Sequence, residues 1–104
     1  MADKINPIRA TDDDARALAR SWIDHARFGA LAVCDPETGA PYVSRVGVGT
    51  AASGGPVILI SSLSRHTQGL LRDPRCSLLV GEPGKGEALT HPRITLMCVA
   101  ERID

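Results

Sequence analysis

With 104 residues the chain has room for one domain, and a monomer of this size buries only about two-thirds of its unfolded surface. Twelve Lys plus Arg balance twelve Asp plus Glu, so no global field draws nucleic acid or an anionic membrane, and Trp22, Phe28 and Tyr42 are the only aromatics, which makes the core aliphatic. The longest apolar runs, 57–60 and 76–80, fall far short of the roughly 20 residues a membrane span requires, and Met1 leads into a polar, charged segment rather than a signal peptide.

Residues 1–10 carry Pro7 and no periodicity and read as a loose arm, with a single domain over 11–104. Thr11 suits a helix N-cap, and Asp12, Asp13 and Asp14 crowd the first turn, where carboxylates complement the helix dipole. Ala15, Leu18, Ala19, Trp22, Ile23 and Ala26 then form one apolar helical stripe, with Gly29 as its C-terminal stop. His25 reads as a solvated helix residue. After Gly29 the period changes. Residues 30–34 are a continuously apolar strand, and 35–39 are turn chemistry with proline and glycine.

Residues 42–50 alternate, placing Arg45, Gly47 and Gly49 on one side. Two glycines leave bare backbone there, as close approach of a ligand requires, although a bulge or tight bend would use them equally well. Residues 52–55 close a hairpin into a strand over 56–62, followed by a short helix over 67–72 that Asp73-Pro74 ends. Strands over 75–81 and 94–103 complete the set, separated by a mobile Gly-rich loop at 82–87. One helix followed by about five strands with hairpin-length turns predicts a mainly β fold, a small antiparallel barrel decorated by helices.

The chemistry concentrates at the end of the 56–62 strand. Ser61, Ser62, Ser64, Arg65, His66 and Thr67 deliver hydroxyls and a guanidinium where a helix begins, the donor set a phosphate dianion needs. The plain alternative for Arg45 and Arg65 is ion pairing with acidic neighbours. Gly84-Lys85-Gly86 lacks the spacing, hydroxyl and following helix of a nucleotide loop. No zinc knuckle or helical His pair exists, so no metal site is expected. No nucleophile elbow surrounds Ser62 or Ser64, which argues against a hydrolase. Cys34, Cys76 and Cys98 are odd in number, widely spaced and set in apolar runs, reading as buried reduced thiols of a cytoplasmic protein.

Four segments, 27–32, 41–46, 59–67 and 70–86, together resemble the pyridoxamine 5′-phosphate oxidase-like FMN-binding split barrels, with the haem-utilisation branch the nearest match. The resemblance spans about 11–103 and is most specific in the Ser-Arg-His-Thr stretch and the following Asp-Pro-Arg. It implies a homodimer with FMN in clefts between the subunits. Arg45, Ser62 and Arg65, with Ser64, His66 and Thr67, would hold the phosphate and ribityl chain, while backbone from Arg45 through Val46 to Gly47 and the side chain of Ser61 would line the ring. It further implies an FMN-dependent oxidoreductase using NAD(P)H or a small reduced substrate, with no side chain as an obligatory acid or base. The alternatives are a haem-utilisation or flavin- or haem-binding protein without turnover, and a dimerisation domain that has lost its ligand. Thr50 stands where vitamin B6 oxidases carry a phosphate-binding lysine, so B6 oxidation is not expected. The family's further strand and helix, and the C-terminal histidine region of its haem-degrading members, have no counterpart in these 104 residues, so the expectation is either a minimal split barrel or one truncated at the C-terminus as a fragment of a longer chain.

Overall fold

The computed structural model describes residues 13–103; the predicted arm, the Thr11 cap and Asp12 lie outside them. Two helices, α1 (Asp13–His25) and α2 (Arg65–Arg72), accompany five strands: β1 (Phe28–Cys34), β2 (Pro41–Thr50), β3 (Pro56–Leu59), β4 (Arg75–Val80) and β5 (Ile94–Val99). A 3-10 turn, Ala88–Thr90, precedes β5. All strand pairs are antiparallel, in the order β3-β2-β1-β4-β5. The architecture is the mainly β sheet with two helices that the pattern of elements predicts.

Continuous apolar character puts β1 at the centre. It pairs with β2 from Phe28↔Gly47 to Cys34↔Pro41 and with β4 from Ala30↔Leu79 to Ala32↔Ser77. Strand alternation then separates two faces. The inner face carries the core, Leu31, Val33, Val46, Val48, Leu78 and Val80, against which Ile23 of α1, Ala26 just beyond it and Leu70 of α2 pack. Burying each such aliphatic side chain contributes about 1.5–3 kcal/mol, so this small set dominates the driving force. The stripe on α1 is buried only towards its C-terminal end, and Leu18 remains exposed. Thr50 Oγ1 donates to the Asp24 carbonyl (3.3 Å) and Val48 N–H to the Arg27 carbonyl (2.9 Å), fastening the end of α1 to β2.

The outer face is different in kind. Register places Arg45, Ala30, Leu79 and Thr95 in one row across the sheet, and Val43, Ala32, Ser77 and Met97 in the next. Small side chains thus floor the central strands, while Val43, Leu59, Leu79, Met97 and Val99 stand exposed around them.

Several boundaries move from their predicted places. The helix α1 stops at His25, and Gly29 is not its cap: it is a buried residue of β1, where a Cβ would lie 2.8 Å from the Leu79 carbonyl oxygen. Close approach of β4, rather than a left-handed turn, requires glycine there. Strand β3 ends at Leu59 and α2 begins at Arg65, because the intervening residues turn on the Ser61 carbonyl. The last strand ends at Val99 rather than 103. The 82–87 loop runs into the 3-10 turn, whose start Glu87 caps by accepting from Leu89 N–H (3.4 Å). All three cysteines are free, and each is half-buried rather than fully enclosed as expected.

Candidate functional site

The predicted cluster forms at the β3–α2 junction. The Ser61 carbonyl accepts from Ser64 N–H (3.2 Å), Ser64 Oγ (2.8 Å) and Thr67 Oγ1 (2.5 Å), and the Ser64 and Thr67 hydroxyls also lie 2.8 Å apart. Ser61 Oγ accepts from Leu63 N–H at 3.1 Å. Three of the predicted hydroxyls therefore shape the junction itself. Ser62 Oγ and the peptide N–H groups of Arg65, His66 and Thr67 have no hydrogen-bond partner among the described residues. They sit at the positive end of α2, the geometry that favours an anion.

Arg65 behaves otherwise than its motif suggests. Its Nε donates to Asp35 Oδ1, its Nη2 donates to Asp35 Oδ2 (3.2 Å), and Glu37 lies 3.7 Å away. Asp35 is 7% exposed, and its Oδ2 also accepts from Glu37 N–H (3.1 Å), Thr38 N–H (3.0 Å) and Thr38 Oγ1 (3.0 Å). The Arg65 guanidinium, followed by the Thr38 backbone, holds the Asp35 carboxyl far below the usual carboxylate range. Arg65 clamps α2 to the β1–β2 turn, and its side chain, 46% exposed, keeps Nη1 outside the Asp35 pair.

His66 points inward. Ser44 Oγ and His66 Nδ1 are 2.8 Å apart, while Nε2 is buried without a hydrogen-bond partner among the described residues. Burial pushes the imidazole pKa down, favouring the neutral ring. This contact ties α2 to the strand that carries Arg45. Arg45 itself projects from the outer face, its guanidinium 5.5 Å from the Phe28 ring centroid, a cation–π distance, and it pairs with no carboxylate among the described residues. Val46 is a core residue, contributing backbone only to that face. Beside Arg45 the surface is bare: a Cβ at Gly47 would meet nothing nearer than Leu59 Cβ at 3.7 Å, and one at Gly49 would meet nothing within 4 Å.

Two shallow cavities adjoin Phe28. One, about 200 Å³, is bounded by the end of α1 and by Glu82 and Pro92; the other, about 130 Å³, lies between Arg45, Ala30 and Leu79. Both are smaller than the roughly 300–1,000 Å³ typical of ligand pockets. No group of three or more His, Cys, Asp or Glu able to hold a metal occurs among the described residues, and no described helix is long and apolar enough to cross a membrane.

Sequence reasoning missed Asp35 and Ser44 as organisers of the site. The Asp-Pro-Glu-Thr pattern carries a local signal for Asp35, an aspartate poised to cap the turn it starts. Nothing local marks Ser44.

Residues 15–104 match the sequence profile of pyridoxamine 5′-phosphate oxidase. A crystal structure of a protein of unknown function from Agrobacterium tumefaciens is 36% identical, with a TM-score of 0.82 over 96% of this chain and 42% of that one. A heme-binding protein from Mycobacterium smegmatis is 32% identical with a TM-score of 0.71, covering 83% and 35%. A chloroplast heme oxygenase, HOZ, from Arabidopsis thaliana is 43% identical over 58 residues, 56% of this chain and 17% of the relative. The chain thus spans less than half the length of each of these three relatives. The half-barrel sheet, the element order and a match over most of the chain agree: the chain belongs to the pyridoxamine 5′-phosphate oxidase family of split barrels.

Proposed function

We propose that this chain is the FMN-binding portion of a homodimeric flavoprotein oxidoreductase that draws electrons from NAD(P)H or a small reduced substrate. The observation that carries the reading is the bare strip over Gly47 and Gly49 beside a guanidinium free of any carboxylate among the described residues, where a flat ring can lie on backbone. The donors present fit FMN. Ser62 Oγ, the first-turn N–H groups of α2 and the outward edge of Arg65 would take the phosphate; Arg45 and the backbone through Val46 and Gly47 would face the ring. Ser61, Ser64 and Thr67 would set the loop's shape, and His66 would brace it through Ser44. When bound, FMN supplies the hydride and electron chemistry, while the protein supplies position and electrostatics. Arg45 would balance negative charge developing on the ring.

A twofold partner fits the same reading. Each cavity on one chain is too small for FMN, and the exposed apolar outer face adjoins Arg45, so a second copy would deepen the site and cover that face. Thr50 spends its hydroxyl on the Asp24 carbonyl and brings no cation. A B6-vitamer phosphate would be left unpaired there, and turnover of pyridoxine phosphate is expected to be absent.

The test compares FMN with riboflavin, which has the same ring and no phosphate. Arg65→Ala should weaken FMN by about tenfold or more, the worth of one hydrogen bond to a charged group, and leave riboflavin almost unchanged. Arg45→Ala should weaken both. Equal losses for the two ligands in Arg65→Ala would restrict Arg65 to clamping Asp35 and defeat the phosphate assignment.

Haem is the second reading, favoured by the names of the heme-binding and heme oxygenase relatives. His66, with Nδ1 held by Ser44 and Nε2 buried, would have to turn outward to meet an iron. The absorbance spectrum of the protein as isolated separates the readings: a flavin gives its two-banded yellow spectrum, and a haem gives a Soret band.

A further inference from the structure

Cys76 and Cys98 are direct cross-strand neighbours in the β4–β5 ladder, and both are half-buried. Alternation places them on the inner face, in line with Leu78 and Leu96. The Ala100 N–H donates to the Pro74 carbonyl at 2.7 Å, two residues along on each strand, which makes 76–98 a pair that exchanges both backbone hydrogen bonds. In such pairs the Cα atoms lie about 5.5 Å apart, inside the range a disulfide spans, whereas the Cβ atoms start at the wide end and must draw together. A bond made there is closed under strain and is therefore readily reduced. Burial, with the neighbouring Cys98 sulfur second, pushes the Cys76 thiol up, which keeps Cys76 protonated and makes Cys98 the attacking sulfur and Cys76 the resolving thiol. Cys34 is no competitor: it lies on β1, on the opposite face of the sheet, near Asp73.

We propose that Cys76 and Cys98 are a reversible redox pair, oxidised by hydroperoxides to a cross-strand disulfide. In balance, one thiolate attacks the peroxide oxygen to give a sulfenic acid and water. The second thiol displaces the sulfenic oxygen as a second water, so two thiols and one H₂O₂ become one disulfide and two H₂O. The bond closes residues 76–98 into a loop and fastens β5, which among the described strands is an edge strand paired with β4 alone.

The test treats the reduced full chain with stoichiometric hydrogen peroxide, quenches it, and measures intact mass, free thiols and a non-reducing peptide map. The expected product has lost two hydrogens, keeps one of its three thiols, links Cys76 to Cys98, and reverts with a dithiol reductant. Hydrogen exchange of the Thr95–Val99 amides should slow in the oxidised form. Cys34→Ser should oxidise in the same way and retain no thiol, while Cys98→Ser should give no internal bridge. Oxygen addition at Cys76 or Cys98 without a bridge in the unmutated protein, or a bridge that includes Cys34, would overturn the proposal.

Discussion

Gly69, the one buried residue of α2, offers a test in which two well-known effects oppose each other. Replacing glycine by alanine in a helix interior ordinarily stabilises by about 0.8–1.0 kcal/mol. Here the new Cβ would lie 2.6 Å from the Cys34 carbonyl oxygen and 3.0 Å from Val33 Cγ2. The oxygen belongs to the backbone of the central strand and cannot swing aside, so α2 must lift by several tenths of an ångström. Overpacking of this kind costs about 1–3 kcal/mol, and with so rigid a neighbour the upper part of that range applies, leaving Gly69→Ala a net ~1–2 kcal/mol less stable. At about 4–8 °C per kcal/mol for a domain of this size, the melting temperature should fall by roughly 5–15 °C, as followed by circular dichroism. Lifting α2 also stretches the Ser44–His66 contact and the Arg65–Asp35 clamp, so under the proposed flavin reading FMN affinity should fall along with stability. A melting temperature that rises by the propensity gain, with ligand affinity intact, would refute the seating of α2 on β1 through Gly69.

Three further outcomes follow from the same contacts. The Asp35 carboxyl titrates below its unfolded value of about 3.9, so its stabilisation is present above that pH and fades as pH falls below it; in urea titrations Asp35→Asn should lower stability near neutrality and flatten the loss on acidification. The His66 pKa is also lowered, so the unfolded chain takes up the proton first and stability declines as pH drops below about 6.5. In His66→Gln the denaturation midpoint should become nearly level across that interval, and an unchanged slope would remove His66 as its source. Met97, 89% exposed on the outer face, contributes little to the fold of one chain, so if that face carries the proposed twofold contact, Met97→Glu should leave the melting curve of the monomer unaltered while sedimentation shifts from dimer to monomer.

What the sequence determined by itself is the short-range part. Apolar alternation over 42–50, the turn chemistry of 35–39 and 52–55, and the Asp73-Pro74 helix stop act within a few residues, so the mainly β architecture and the clustering of 61–67 at a helix start were legible, as was the family resemblance. Gly29 shows where that reasoning ends. A glycine after an apolar helical stripe resembles a cap, yet its real constraint is the Leu79 carbonyl, fifty residues away along the chain. The site divides in the same way. Hydroxyls and an arginine near a helix start suggest a phosphate cradle, but the sequence does not say which donors the fold consumes. Arg65 finds Asp35 thirty residues upstream, and His66 finds Ser44 at a separation of twenty-two. Arg45, on the outer face, meets Phe28 and no acid among the described residues. The seating of α2 on β1 made the first two choices and the β1–β2 register made the third: a charge-assisted hydrogen bond forms with whichever partner the fold brings within about 3 Å, and spacing along one element carries no information about the residue opposite.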